Sequence, residues 1–363
     1  HLITSEKEID EWINEAEEAG ELVIDTETSS LDAHQTDLVG ISLSAKVGKA
    51  CYIPIGHKFK GCLKKEAVIK KLKPLLEDKS VKKIGQNIKF DFIVLFKQGI
   101  KMNSMEDTML MSYVLDAGKN RHNMDTLSEI HLQHKTISFK DIVGTGKKEI
   151  NFSNVELDKA MEYAAEDADI TYRLYKIFSK NLKLEKLINI YEIFEKPLIT
   201  ILAFMEIEGI KIDNKFLKVL SEKFEKKIDR LEKEVFKISK KEFNIASPKQ
   251  LGEIIYNDLK LAVLKKTKKG SFATNASVLE DLSFKGHKFP QLILDWRQVS
   301  KLKNTYSDAL PEHINITTRR VHTSFLLAAT TTGRLASSNP NLQNIPIKSE
   351  DGKNIRKSFI AKK

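Results

Sequence analysis

The first part of the chain alternates short apolar runs with polar turns. Residues 21–24 form an apolar, β-branched run, which predicts a buried strand that ends at Asp25. The apolar runs at 38–45 and 50–56 flank a polar turn that contains a glycine, and this pattern predicts an antiparallel hairpin. A further short apolar run at 81–84 predicts another strand.

Apolar residues at helical spacing lie between and after these strands. The longest such pattern predicts an amphipathic helix over 155–178. Shorter patterns predict helices over 64–77, 87–98 and 105–116. Strands mixed with helices indicate an α/β domain, which we expect to span residues 1–188.

Long helical patterns dominate the chain after this domain. One predicted helix covers 190–208, and a second, heavily charged helix covers 213–241 with Asp213 as its N-cap. We therefore expect a mainly α-helical second domain over 189–311. Residues 312–363 are strand-like in part and rich in turn-forming residues, so they are treated as a third segment.

Charge separates the two halves of the chain. The net charge is +10, but residues 1–200 hold 29 Lys and Arg against 32 Asp and Glu. Residues 201–363 hold 31 Lys and Arg against 18 Asp and Glu, so all of the excess positive charge lies there. This asymmetry indicates a polyanion-binding module beside a module of a different kind.

Several protein classes are disfavoured by the sequence. Cys51 and Cys62 are the only cysteines, which is too few for a disulfide framework or a cysteine-rich zinc site. No run approaches the roughly 18 apolar residues that span a bilayer, and the first residues lack a secretion signal. The chain starts at His1 without a methionine, so we interpret that start as an artificial boundary. We expect a cytoplasmic, nucleoid-associated protein with no membrane partner.

Four acidic residues and a tyrosine form the strongest chemical pattern. Asp25 and Glu27 are two apart at the end of a predicted strand, so they point to one side. Tyr163 and Asp167 are four apart on one face of a predicted helix, and Asp91 lies on another helix. Clustered carboxylates repel each other unless cations neutralise them, and oxygen ligands suit Mg²⁺ or Mn²⁺. Two such ions can activate water for phosphodiester cleavage.

The amino-acid sequences of the motifs indicate a protein family. DTET, GQNIKFD and YAAED resemble the three exonuclease motifs of the DEDD superfamily in its tyrosine-containing branch. FEKPLITILAFMEIEGIKID and TTTGRLASSNPNLQNIPI resemble the thumb and early palm of family A DNA polymerases. The resemblance implies an RNase H-like exonuclease domain with a mixed sheet, then a mainly helical thumb and part of a palm. It implies proofreading hydrolysis of DNA 3′ ends.

The resemblance also implies roles for individual residues of the exonuclease domain. The acids that match Asp25, Glu27, Asp91 and Asp167 hold two metal ions, and the tyrosine that matches Tyr163 orients the attacking water with Glu27. The substrate 3′ end is contacted by residues that match Leu31, Asn87 and Phe139. A core role is equally open for Leu31 and Phe139 on the sequence alone.

The resemblance assigns DNA contacts in the rest of the chain. Lysines and helix starts are suited to phosphate oxygens, and they hold DNA without reading its sequence. Single-stranded 3′ ends and primer–template duplex are the expected partners of a monomer. The matched DNA-binding positions are Ser247, Lys249, Lys265, Lys266, Lys303, Asn304, Thr305, Tyr306, Arg334, Asn341, Gln343 and Asn344.

The chain stops before the palm motifs that carry the polymerase carboxylates of the family. We therefore expect no template-directed synthesis from it, and we expect residues 319–360 to be palm strands without partners, mobile or paired with another molecule. Two alternative functions stay open: a catalytically silent DNA-binding fragment, and an RNA exonuclease similar to RNase D. The thumb-like segments disfavour the RNA exonuclease, and the intact acids disfavour the silent fragment.

Overall fold

The computed structural model describes residues 1–262 and 272–361. Each of two compact units has its own hydrophobic core. The first unit comprises His1–Glu208 and Ser324–Ser338, and the second comprises Gly209–Thr323 and Asn339–Lys363.

The core of the first unit is built on a five-stranded mixed sheet, as the α/β prediction requires. Its strand order is β3-β2-β1-β4-β5, with antiparallel pairs on the β2 side of β1 and parallel pairs on the β4 side. The strands are β1 (Glu21–Thr28), β2 (Leu38–Lys46), β3 (Lys49–Pro54), β4 (Lys82–Gly85) and β5 (Met105–Asp107).

Two strand boundaries differ from the predictions. β1 does not end at Asp25, because Thr26 and Glu27 remain paired with Ile41 and Gly40 of β2. The predicted helix from residue 105 begins instead at Thr108, because the three preceding residues form β5 and pair in parallel with β4. Both differences follow from strand pairing, which residues distant in sequence supply.

Helices cover the sheet of the first unit. The longest, α7, buries Ala164, Ala168 and Tyr172, as expected for the amphipathic helix predicted over 155–178. A π-helical turn, Tyr191–Glu195, leads into a helix that buries Leu202 and Ala203 in the same core. The helices are α1 (Glu6–Ala19), α2 (Lys65–Glu77), α3 (Lys89–Lys97), α4 (Thr108–Asp116), α5 (Met124–Leu132), α6 (Phe139–Val143), α7 (Leu157–Leu184), α8 (Ile188–Ile190) and α9 (Lys196–Glu208).

The expected unpartnered strands of residues 319–360 are paired within the chain, so that prediction is wrong. Ser324–Leu326 and Ala336–Ser338 form an antiparallel hairpin that belongs to the first unit. Leu327 of this hairpin is buried in the core of the first unit. In the second unit, Phe359–Ile360 pairs with Lys211–Ile212. These short strands satisfy their main-chain hydrogen bonds within the chain, and their amino-acid composition did not predict which segments they pair with.

The second unit is mainly helical, as predicted. The side chain of Asp213 accepts a hydrogen bond from the Phe216 N–H at 3.0 Å and caps the longest helix. Ser247 caps another helix through the Gln250 N–H at 3.4 Å. The helices are Asn214–Ser239, Pro248–Glu253, Ile254–Asp258 (π), Ala276–Phe284, Lys288–Leu302, Lys303–Asp308 (π), Ala309–Glu312 and Glu350–Lys357.

Among the described residues of both units, no helix combines the length and the apolar character that crossing a membrane requires.

Candidate active site

A cavity of about 960 Å³ lies in the first unit at the end of β1. The acidic residues that line it are Asp25, Glu27, Glu149 and Asp167, and no lysine or arginine is among its described lining residues. The remaining walls come mainly from the loop after β1 and from the segment between α6 and α7. The described lining of the cavity is therefore strongly acidic, with no basic side chain in it.

Three carboxylates meet in this cavity. Oxygen atoms of Asp25, Glu27 and Asp167 all lie within 4.8 Å of one another. Alternation along β1 places Asp25 and Glu27 on one side of the strand, and α7 brings Asp167 to them. Glu27 and Asp167 are buried, and Asp25 is partly exposed. The sequence placed these residues on separate elements, and the fold joins them.

The fourth predicted acid, Asp91, lies beside this group on α3. Its Oδ1 accepts hydrogen bonds from the Thr26 N–H at 2.9 Å and the Thr26 hydroxyl at 2.6 Å. Thr26 stands between Asp25 and Glu27 on β1, so these bonds tie α3 to the strand that carries the cluster. The Asp91 carboxylate is buried and has 2% of its surface exposed.

Burial raises the pKa of every acid in the group, and repulsion from neighbouring carboxylates adds to the rise for Glu27, Asp91 and Asp167. Burial raises the pKa of Asp25 to about 6. Burial, and then the charge of Asp25, raise the pKa values of Glu27, Asp91 and Asp167 well above their usual range. Hydrogen bonds from Thr26 partly offset the rise for Asp91. Without a cation, the folded chain therefore holds these carboxylates at a cost in free energy.

An aromatic wall faces the acids. Burial and the nearby Asp167 carboxylate raise the pKa of Tyr163, so its hydroxyl stays protonated. The ring of Phe139 lies 6.0 Å from that of Tyr163 and 6.1 Å from that of Phe152. Phe139 and Leu31 both line the cavity, and they are 43% and 93% exposed. Such exposure disfavours a core role for Leu31 in particular.

Asn87 lies outside the acid-lined cavity. It lines a second cavity of about 700 Å³ in the same unit, together with Arg121 and the hairpin residues Thr330 and Thr331. Gln86 lines both cavities and was missed by the sequence analysis. Its position beside Asn87 in the GQN motif was the available signal.

The predicted DNA-binding residues of the second unit differ in exposure. Lys249 is exposed in the first turn of the helix that Ser247 caps. The ammonium of Lys303 pairs with Glu225 at 2.9 Å and with Asp308 at 2.8 Å. Asn304 and Thr305, which follow it, are exposed.

The burial of Tyr306 contradicts its predicted contact with DNA. Only 1% of its surface is exposed, and its hydroxyl donates to the Asn344 carbonyl oxygen at 2.6 Å. The side chain is a core residue, so a direct contact between it and DNA does not fit this structure. Its position in a predicted DNA-binding segment hid this burial, because the inward face of a π-helical turn cannot be read from residue type.

Four of the remaining predicted contacts are exposed. Arg334 lies in the hairpin of the first unit, while Asn341, Gln343 and Asn344 belong to the second unit. The side chain of Asn341 accepts a hydrogen bond from the Gln343 N–H at 3.0 Å and shapes this loop. Lys265 and Lys266 lie outside the described residues.

Comparisons with known proteins assign both parts of the chain to families. Residues 1–183 match the 3′–5′ exonuclease family, and residues 214–363 match DNA polymerase family A. DNA polymerase I of Rhizobium leguminosarum is 46% identical over 374 residues, which cover 97% of this chain and 37% of that protein. DNA polymerase I of Pseudomonas aeruginosa is 42% identical over 367 residues, which cover 99% and 40%.

A solved structure extends the likeness to the fold. The polymerase domain of Pol1 from M. smegmatis, in complex with DNA primer-template and dNTP, matches with a TM-score of 0.83 and 26% identity. The match covers 99% of this chain and 58% of that one. The chain spans about two fifths of the length of the curated relatives. It belongs to the family A DNA polymerases, and its first 183 residues form the 3′–5′ exonuclease region of that family.

Proposed function

We propose that the first unit is a proofreading exonuclease that removes mononucleotides from DNA 3′ ends by metal-dependent hydrolysis. The carboxylate cluster of Asp25, Glu27 and Asp167 is the observation that carries the proposal. These acids lie within the exonuclease-family region, in a cavity that no basic residue lines in the described part of the chain. A partner cation is the simplest source of the missing positive charge.

The donor set fits Mg²⁺ or Mn²⁺, because all of the candidate ligands are carboxylate oxygens. Asp25, Glu27 and Asp167 would hold one ion, and Asp25 with Asp91 would hold a second. When bound, the two ions supply an activated water and neutralise the charge of the leaving oxygen. The raised pKa values favour this assignment, because a bound cation stabilises the ionised carboxylates that burial disfavours.

The neighbouring residues have distinct tasks in this proposal. The protonated hydroxyl of Tyr163 acts with Glu27 to orient the water that attacks the terminal phosphodiester. Leu31 and Phe139 contact the terminal base from the exposed rim of the cavity, where apolar surface favours an unstacked base. Among the described residues, no lysine or arginine lines the cavity, so neutralisation of the phosphate charge would fall to bound cations.

We propose that the basic part of the chain binds primer–template DNA. In functional terms, residues 1–188 would be the exonuclease domain, 189–311 the thumb and 312–363 the beginning of a palm. The support is the positive charge of this part, the exposed Lys249 at a helix start and the solved relative, whose structure contains primer-template.

A matched pair of variants on α7 tests the proposed reaction. Asp167→Asn removes a cluster carboxylate, whereas Asp158→Asn removes an exposed carboxylate from the same helix. We expect Mg²⁺-dependent release of mononucleotides from 3′-labelled single-stranded DNA by the wild type and by Asp158→Asn. We expect a loss of about 100-fold or more in Asp167→Asn, which is typical of a lost metal ligand or its support.

Two outcomes would contradict the proposal. Absence of release by the wild type with every divalent cation would indicate a silent DNA-binding protein. Preferential cleavage of RNA 3′ ends in a competition with DNA would favour the RNase D-like alternative.

A further inference from the structure

We infer that Asp107 is a positioning residue of the exonuclease site: it fixes the turn 86–88, from which α3 and the Gln86 side chain are directed. This inference rests on the proposed function. Asp107 ends β5 and is fully buried, with none of its surface exposed. It does not line the acid-lined cavity, so it acts through the groups that it holds.

One carboxylate joins two elements. Its Oδ1 accepts hydrogen bonds from the N–H groups of Met109 at 2.9 Å and Leu110 at 3.4 Å, which caps α4. The same atom accepts from the Asn87 N–H at 3.0 Å, and Oδ2 accepts from the Ile88 N–H at 3.1 Å. The cap alone needs only one oxygen, so the second oxygen is committed to the turn.

The turn needs such an acceptor. Asn87 has a φ of 60°, in the left-handed region that non-glycine residues rarely adopt, and Ile88 follows in a right-handed helical conformation. This succession points neighbouring N–H groups to one side, where they form an anion-binding concavity. The Asp107 carboxylate fills that concavity and stabilises a backbone conformation that is unfavourable by itself.

The turn leads directly to the site. α3 begins at Lys89, immediately after Ile88, and carries Asp91 within its first turn. The Gln86 side chain donates to the His122 carbonyl oxygen at 2.8 Å and accepts from the Thr108 hydroxyl at 2.5 Å. A shift of the turn would therefore move Asp91 and Gln86 together. Groups that hold the residues around a metal site by hydrogen bonds typically set the geometry of the metal-binding carboxylates.

Asp107 itself is held through its main chain. Its N–H donates to the Tyr191 hydroxyl at 2.9 Å, and that hydroxyl donates to Glu106 Oε2 at 2.9 Å. Glu106 Oε1 in turn pairs with Lys196 at 2.5 Å. These contacts fix the main chain that carries the carboxylate. The turn 86–88 therefore adapts to the position of the carboxylate.

Two substitutions separate the cap from the turn. In Asp107→Asn, the amide oxygen can keep the Oδ1 contacts, while the NH₂ group faces the Ile88 N–H and loses that bond. In Asp107→Ser, the hydroxyl can still cap α4, as Ser247 caps its helix, but it is too short to hold the turn. Asp213→Ser is the matched control, because Asp213 caps a helix of the other unit.

The experiment measures kcat and KM on single-stranded DNA, and measures Mn²⁺ affinity by electron paramagnetic resonance without DNA. We expect kcat and the affinity for the more weakly bound Mn²⁺ to fall about 10-fold in Asp107→Asn and about 100-fold in Asp107→Ser. The control should keep both values within about two-fold of wild type. Circular dichroism and the urea midpoint show how much of each variant is folded.

Wild-type kcat and Mn²⁺ affinity in Asp107→Asn would overturn the inference, even if Asp107→Ser does not fold. Loss of kcat only in proportion to the unfolded fraction would overturn it too, because it would reduce Asp107 to a helix cap. Failure of the proposed function gives a different result: the wild type itself would not hydrolyse DNA, while the Mn²⁺ titrations would still compare the variants.

Discussion

Replacement of Asp25 by asparagine should stabilise the metal-free protein while abolishing hydrolysis. Asp25 raises the pKa values of Glu27, Asp91 and Asp167 by its charge, and its own pKa is raised to about 6 by burial. A carboxylate whose pKa is higher in the folded than in the unfolded chain destabilises the fold when it is ionised. Asparagine keeps the shape and removes the charge.

The magnitude follows from the shift of Asp25. Its pKa moves from 3.8 to about 6, which corresponds to about 3 kcal/mol at pH 8, where the group is ionised in both states. At pH 5 the folded-state carboxyl is mostly protonated, and the same linkage gives about 1.6 kcal/mol. Asp25 keeps part of its surface in water, so about 3 kcal/mol is an upper bound.

Urea unfolding in EDTA, monitored by circular dichroism at pH 8 and pH 5, measures this difference. We expect Asp25→Asn to exceed the wild type by about 1–3 kcal/mol at pH 8 and by about half as much at pH 5. The sign follows from the raised pKa: the stabilising protonated form is full below pH 3.8 and is lost as pH rises through 6. Added Mg²⁺ should stabilise the wild type much more than the variant.

The reasoning would be refuted if Asp25→Asn were less stable than the wild type at pH 8 in EDTA. It would also fail if the advantage of the variant grew as the pH fell, because the sign of the linkage would then be reversed. Equal stabilisation of both proteins by Mg²⁺ would show that Asp25 does not hold the ion.

Three further predictions concern other parts of the first unit. Tyr163→Phe should lower kcat about 100-fold in the exonuclease assay while Mn²⁺ affinity stays unchanged, because the hydroxyl orients water and is not placed as a ligand. Glu206→Gln should lower the free energy of unfolding by about 3–5 kcal/mol in urea, because Glu206 pairs with the buried Lys89; a loss below 1 kcal/mol would contradict this. Leu31→Ala should leave the urea midpoint unchanged and raise KM, since Leu31 is 93% exposed; a lower midpoint would indicate a core role.

The local sequence pattern predicted the strands and helices that carry the site. Long-range strand pairing determined how they assemble and where β1 ends, and the pattern could not predict either. The spacing of Asp25 and Glu27 on a strand, and of Tyr163 and Asp167 on a helix, was sufficient to predict which side chains share a face. Spacing alone could not predict that those two faces meet, because this depends on the order of the strands in the sheet. The family resemblance supplied that information instead. The end of β1 was misplaced because its last residues are polar and are held by β2.

The role of Asp107 had no local signature. An aspartate before a helix predicts a cap, and the structure contains that cap. The second task of the same carboxylate depends on the parallel pairing of β4 with β5, which brings the turn 86–88 to it. Tyr306 shows the opposite error: the resemblance assigned a DNA contact to a side chain that packs in the core of the second unit.

The path of the chain between the two units limits which segments can be exchanged between this protein and its relatives. The polypeptide leaves the first unit after Glu208, returns for Ser324–Ser338 and leaves again. The returning hairpin belongs to the polymerase family by sequence and to the exonuclease unit by packing. No single cleavage therefore releases an intact first unit, and a chimera joined at residue 208 would receive a foreign hairpin. Recombination that preserves activity must transfer the hairpin together with the part of the first unit against which it packs.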